Sequence, residues 1–510
     1  MDNKKYVVAI DVGSSEVVIA VGSIADSGAI NIETVVAEHC EGMKGGLIDN
    51  SEMVADSLRR ARARAEEQAG IIITDADVSI SGKFVRCARY TDHVFVDDKE
   101  SCISQRDVNA LCERMRSVKS ADGEIIMDYY PINYKGASGV EMKNPVGCYS
   151  PQLSSTYNFI LCEHGAKDRL VRVFVAAGIK IRNIYAGATV IGESVANSEE
   201  REDGVAVVDI GRDITDVAVY HGGVLRYIAT IPMGGSLVNA DIRSYAGTIP
   251  AKTVESLKRR YGSAVVSLTP DDRIDIHSSS RAIKPIQRLN LATVIEARMK
   301  EIADYVWTEI RESGYAKQLA AGIILTGGGA ALAHVADLFQ SVTSQEVRVS
   351  CAEIGIATES LDKVSSPNLT MAVSLLLRGV KAGAIPVREK QSVVPPQIVT
   401  PPVSGGGQAG VGQKPEAPVP PVKEENPPKR KDSDEWKDVV EVDEGGETDG
   451  EGEDDVVAGG KTKPIDDVKG RGSKQSKPGV MDKIRVFFKE MVDGAFKPED
   501  IEDKDPVDDF

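Results

Sequence analysis

The stretch that most constrains the fold of this 510-residue chain occurs twice. Residues 9–22, AIDVGSSEVVIAVG, run an apolar strand into Asp11, bend through Gly13, Ser14 and Ser15, and return as a second apolar strand. Residues 204–235, GVAVVDIGRDITDVAVYHGGVLRYIATIPMGG, repeat the pattern and add a third strand. Asp209 matches Asp11, Gly211 matches Gly13, and Ala218-Val219 match Ala20-Val21 without a gap. Solenoid repeats recur every ~20–50 residues. These lie nearly 200 apart, which predicts two domains of like topology. A chain this long also exceeds what one hydrophobic core sustains.

A hairpin needs no carboxylate at the end of its first strand, so the aspartates ask for another explanation. Each turn presents backbone N–H groups at a tight bend, a nest suited to phosphate oxygens. The carboxylate ahead of it can hold Mg²⁺ through water. One such turn reads as an ordinary bend; two in equivalent positions read as facing jaws on one polyphosphate. A third element, LTGGGA at 325–330, runs a strand into three glycines and an expected helix. That lets backbone approach a ligand at a helix N-terminus, with a strand–helix packing turn as the alternative. Neither a P-loop nor a Rossmann fingerprint is present.

The rest of the chain is organised around these motifs. Residues 5–36 read as a three-strand meander, followed by a helix within NSEMVADSLRRARARAEEQAG (50–70), with Asn50 or Ser51 as N-cap and Gly70 as its stop. DADVSISG reads as another strand. Residues 84–163 mix short β-rich pieces with one helix capped by Ser104, the texture of an insertion, and 241–311 look largely helical. After about 390 the chain turns Pro/Gly-rich and then acidic, too poor in apolar surface to offset ordering entropy, so 390–478 reads as disordered linker. Residues 391–510 carry 17 Lys+Arg against 28 Asp+Glu, which is −11 of the net −17. That balance argues against general nucleic-acid binding. Seven scattered cysteines without a C-x-x-C pair fit reduced thiols of a cytosolic protein. No apolar run reaches the roughly 18 residues of a membrane span, and Asp11 breaks the N-terminal apolar stretch too early for a signal peptide.

Two phosphate turns and a glycine-rich adenosine motif resemble those of the actin-like ATPases, and within them the chain resembles the FtsA family, bacterial cell-division homologues of actin. The likeness runs across about 5–385 and through GMKGGLIDN (42–50), SISGKFV (79–85), KNPVG (143–147), IPMGG (231–235), GTIPAKTVESLK (247–258) and LTGGGA. It implies an α/β, actin-like (duplicated ribonuclease-H-like) two-domain ATPase fold with an inserted small α+β subdomain. Subdomain 1A would comprise 1–83 and 164–203 around insertion 1C at 84–163. Subdomain 2A would comprise 204–240 and 312–389 around 2B at 241–311.

The resemblance further implies ATP with Mg²⁺ in the cleft between the repeats. Carried over by motif, Asp11, Gly13, Ser14 and Ser15 form the first phosphate loop, and Asp209, Gly211, Arg212, Asp213 and Thr215 the second. Gly234, Gly235, Gly327, Gly328 and Gly329 approach the nucleotide, and Glu255 and Lys258 reach its ribose side. Asp11 and Asp209 would hold Mg²⁺ through water. Many relatives carry Lys where Glu16 stands and glycines where Arg212 and Asp213 stand. Arg212 either points at phosphate or is a solvated turn residue. No side chain identifies itself as the one that orients water for hydrolysis, and no catalytic residue is assigned.

Near the C-terminus, at 479–496, a helical wheel puts Val480, Met481, Ile484, Phe487, Phe488 and Met491 on one face and charged residues on the other. Lys483 and Arg485 flank the apolar face, where their stems can snorkel. An interfacial membrane helix is expected, the alternative being a helix that docks back on the folded core. An acidic tail, 497–510, follows. By resemblance, the partners are an FtsZ-type tubulin homologue, contacted through 241–311, further copies in a filament, anionic inner-membrane lipid and later division proteins. The site of action is the cytoplasmic side of the inner membrane at the division site. A soluble chaperone-like or small-molecule-kinase ATPase, or a pilus-assembly relative, is the alternative, and the terminal helix discriminates against it.

Overall fold

The computed structural model describes residues 6–384 apart from 26, 247–248 and 278–282. The expected linker, the terminal helix with Val480, Met481, Ile484, Phe487, Phe488 and Met491, and the acidic tail lie outside the described residues.

Strands β1 (Tyr6–Val12), β2 (Glu16–Ile24) and β3 (Ile30–His39) form the expected meander, with β1 and β2 paired antiparallel from Tyr6/Ser23 to Val12/Val17. Helix α1 (Ser51–Ala69) follows; the Asn50 side chain accepts from the N–H groups of Glu52 and Met53, and Gly70 ends it at φ 65°. Strand β4 (Asp75–Ile80) then joins β1 in parallel.

The insertion comprises β5 (Val85–Phe95), α2 (Gln105–Arg116), β6 (Glu124–Gly136) and β7 (Gln152–Glu163). Its strands pair antiparallel in the order β5-β7-β6, and its own small core forms around Leu111, Met115, Leu153 and Phe159. After helix α3 (His164–Ala176), strand β8 (Lys180–Ala186) completes the first sheet in the order β8-β4-β1-β2-β3. Val17 to Val21 of β2 are all buried, as expected of a strand covered on both faces.

The second half rebuilds this arrangement. Strands β9 (Val205–Ile210), β10 (Thr215–His221) and β11 (Val224–Ile231) form the meander, and α4 (Gly235–Ala246), α5 (Ala251–Tyr261) and α6 (Arg288–Glu312) follow. Between α5 and α6 lies a hairpin, Arg273–His277 with Ile283–Gln287, that the reading of 241–311 as largely helical did not include. Its strands are too short for a two-residue period to stand out, and the buried pair Ile274 and Ile286 holds them. Strand β12 (Ile323–Thr326), helix α7 (Val335–Thr343) and strand β13 (Val347–Val349) complete the sheet β11-β10-β9-β12-β13.

The last helix, α8 (Thr370–Ala384), follows the second sheet in sequence but packs elsewhere. Val373, Leu375, Leu376 and Leu377 join the core of the first half, and a Cβ at Gly22 of β2 would stand 2.8 Å from Leu376 Cδ2. The insertion also touches the second half: Asn158 Nδ2 donates to the carbonyls of Leu225 and Arg226 at 3.3 and 3.0 Å, and buried Arg226 donates to the Ile132 carbonyl. No helix among the described residues is long and apolar enough to cross a membrane.

Candidate functional site

The two Asp-x-Gly turns open onto a cavity of about 1100 Å³ lined by residues of both halves. The first is closed by the Gly13 N–H donating to the Glu16 carbonyl at 3.0 Å, the second by the Gly211 N–H donating to the Ile214 carbonyl at 2.9 Å. A Cβ on either glycine would crowd that same carbonyl, at 3.1 and 2.9 Å. The same bend is built twice, for the same steric reason.

Asp11 and Asp209 stand at the entrances. Strand register sets Asp209 opposite Asp216, where the first repeat has Val18 opposite Asp11. Three carboxylates, Asp216 buried and Asp11 and Asp209 half-buried, therefore line one cavity. Burial pushes Asp11 up to about 6, with Ser79 opposing and Asp216 adding to it; Ser79 Oγ donates to Asp11 Oδ1 at 2.5 Å. Burial, reinforced by repulsion from Asp216 and Asp11, pushes Asp209 up to about 8. Burial also raises Asp216, against a hydrogen bond donated by Thr230 Oγ1 at 2.5 Å. Like charges held this way call for a cation or a proton. Among the described residues no three acidic, thiol or imidazole groups are placed to ligate a metal ion.

The glycine run forms the next wall. Gly327 has φ 83°, and a Cβ there would stand 2.0 Å from Asp209 Oδ1; one on Gly329 would stand 2.4 Å from Ile210 Cγ2. Gly328 is different, since a Cβ there would meet only Asn368 Cβ, at 3.8 Å. The helix expected directly after the glycines does not begin there. Gly328–Ala331 is a 3₁₀ turn, closed by the Ala330 N–H donating to the Gly327 carbonyl at 3.0 Å, and α7 starts only at Val335. The close backbone approach thus comes from a glycine turn clamped against Asp209 and Ile210.

Across the cavity, Lys258 Nζ donates to Glu255 Oε2 at 2.9 Å and to the Gly235 carbonyl at 3.3 Å, while Asn239 Nδ2 donates to Glu255 at 2.6 Å. Burial works to raise Glu255, but Lys258, Asn239 and Arg259 outweigh it and hold the carboxylate below its ordinary value. Burial lowers Lys258, and Glu255 only partly restores it.

Of the residues carried over by motif, Asp11, Gly13, Ser14, Ser15, Asp209, Gly211, Arg212, Asp213, Gly235, Glu255, Lys258, Gly327, Gly328 and Gly329 line this cavity. Thr215 and Gly234 lie behind the second turn. Thr215 is fully buried and donates to the Met233 carbonyl at 2.9 Å, and a Cβ on Gly234 would stand 2.6 Å from the carbonyls of Gly211 and Arg212. Ser79, Asp216, Asn239 and Asn368 also line the cavity and were not singled out in sequence. Ser79 sits within the SISGKFV word, and Asp216 within the second repeat, where its counterpart Val18 hides it. Asn368 carries no local signal, because its partner Glu16 is 352 positions away.

A duplicated five-strand sheet, an insertion in its first copy and a cleft lined by paired Asp-x-Gly turns define an actin-like protein. The PilM–PilN type IV pilus biogenesis complex shares the fold, with a TM-score of 0.51 at 14% identity over 73% of this chain and 98% of that one. The family model for "Cell division protein FtsA" matches residues 206–374. Cell division protein FtsA of Escherichia coli K12 is 32% identical over 386 residues, 74% of this chain and 91% of that protein. The Pseudomonas aeruginosa protein of the same name is 28% identical over 385 residues, 74% of this chain and 90% of its own. The chain belongs to the FtsA family of cell-division proteins.

Proposed function

We propose that the cleft binds ATP with Mg²⁺, and that the chain polymerises as an actin-like filament tethering an FtsZ-type division ring to the cytoplasmic face of the inner membrane. Recruitment of later division proteins would follow. The observation that carries the nucleotide reading is the convergence of two like bends, from repeats nearly 200 residues apart, on one cavity with the Gly327–Gly329 turn. Backbone N–H groups of Ser14 and Ser15, and of Arg212 and Asp213, serve as the two jaws on the phosphates. Glu255, held ionised by Lys258, is the acceptor for ribose hydroxyls. Asp11 and Asp209 fit Mg²⁺ held through water, and their raised values fit a site that waits for positive charge. When bound, the ion would supply charge neutralisation for the phosphates and the cavity's carboxylates together.

The tethering reading rests on family membership and on the amphipathic pattern at 479–496. One short interfacial helix binds weakly, so stable attachment needs many copies acting together, which is a physical reason for filaments.

Titration calorimetry of Mg-ATP against the wild type and Gly328→Asp tests the nucleotide reading. Gly328 has room around its Cα, so the new carboxylate reaches the cavity without displacing the fold. The wild type is expected to bind and the variant to lose binding. Equal affinities would remove the assignment.

A further inference from the structure

Two acidic residues bridge the cleft in opposite directions. Glu16 belongs to the first half, and its Oε2 accepts from Asn368 Nδ2 at 3.0 Å. Asn368 lies where the chain leaves the second half for α8: the Pro367 carbonyl accepts from the Gly327 N–H at 3.1 Å and from Thr326 Oγ1 at 3.3 Å, while the next residue, Leu369, packs against the core of the first half. Ser366 Oγ donates to Asn368 Oδ1 at 2.5 Å, which orients the amide so that its nitrogen faces Glu16.

Asp213 belongs to the second half, and its Oδ2 accepts from the Gly45 N–H at 3.0 Å. Gly45 sits at the tip of a small hairpin, Met43–Lys44 with Leu47–Ile48. That hairpin is anchored on the first half, since Asp49 and Asn50 N–H both donate to the Gly42 carbonyl and Arg169 of α3 donates to the Ile48 carbonyl at 3.1 Å. Its tip is wedged between the halves: a Cβ on Gly46 would stand 2.6 Å from the Ser81 carbonyl and 3.3 Å from Ile214 Cδ1.

We propose that Glu16 and Asp213 are a reciprocal pair of clasps that hold the two halves of this chain closed across the cleft. The chemistry is specific to these side chains. A lysine at 16 carries only donors and cannot take the Asn368 amide hydrogens, and a glycine at 213 has no acceptor to offer Gly45. Glu16, Asp213 and Asn368 all line the ligand cavity, so opening the clasps is expected to ease release of a nucleotide.

The kinetic part rests on the nucleotide reading; the structural part does not. In the nucleotide-free full-length chain, Asp213→Ala is expected to speed amide hydrogen exchange at Gly45 about tenfold, the loss of one hydrogen bond, while leaving α1 unchanged. With ATP bound, Glu16→Ala and Asp213→Ala should each hasten release of a fluorescent ATP analogue about tenfold in stopped flow. Glu16→Gln and Asp213→Asn keep an acceptor oxygen and should restore slow release. Unchanged exchange at Gly45, release as slow as wild type in both alanine variants, or conservative variants as fast as alanine would each overturn the clasps. A wild type that does not bind ATP would remove the nucleotide reading, and Gly45 exchange would still decide the clasp.

Discussion

Gly327 and Gly328 are adjacent and chemically identical, yet the fold asks different things of them. Gly327 combines φ 83° with an α-carbon pressed against Asp209, so any side chain is both strained and displaced. Gly327→Ala is expected to cost about 3 kcal/mol, whereas Gly328→Ala should stay within about 1 kcal/mol. Urea unfolding of the two variants checks this, and equal midpoints would contradict it. Nothing in the letters GGG separates the two positions. The distinction comes from Asp209 and Ile210, more than a hundred positions upstream. Glu16 gives the same lesson: in sequence it is a misplaced anion beside a phosphate turn, while in the fold it faces a specific amide donor.

Among the elements, the contact between β11 and α6 carries a pH signature. Tyr227 OH donates to Glu309 at 2.7 Å. Burial raises Glu309 above the ordinary carboxylate value, the Tyr227 hydrogen bond opposes this, and Glu312 adds to it. A carboxyl raised in the folded state binds more protons folded than unfolded. Its contribution is therefore fully present below the ordinary carboxylate value and is lost as pH rises through the raised one. Stability should fall over that window, and Glu309→Gln should flatten the fall. Denaturant midpoints between about pH 4 and pH 8 test it, and identical slopes for variant and wild type would refute it. Elements whose ends are set by neighbouring residues were legible beforehand, such as α1 with its Asn50 cap and Gly70 stop. The hairpin at 273–287 was not, because two five-residue strands carry too little period to register.

For the whole molecule, attachment to a lipid surface is expected to depend on the apolar face at 480–491, which belongs to the chain beyond the described residues. Phe487→Glu combined with Phe488→Glu should abolish co-sedimentation with anionic liposomes while leaving Mg-ATP affinity intact. Undiminished sedimentation would sink the anchor. The folded part shows how one duplicated pattern becomes a two-sided site. Each sheet orders its strands alike, each offers one bend, and α8 ties the end of the second half into the core of the first.

The sequence by itself determined the duplication, the two bends with Asp11 and Asp209, the insertion, the helix caps and the family. These are written in residues that touch their own neighbours, or in motifs repeated whole. Only the tertiary structure decided that Asp216 makes a third carboxylate in the cavity, that Thr215 and Gly234 brace the second turn from behind, and that α8 crosses to the first sheet. It alone paired Glu16 with Asn368 and Asp213 with Gly45, 352 and 168 positions apart. Contacts at such separations arise from how two finished halves meet, and no local pattern encodes that geometry.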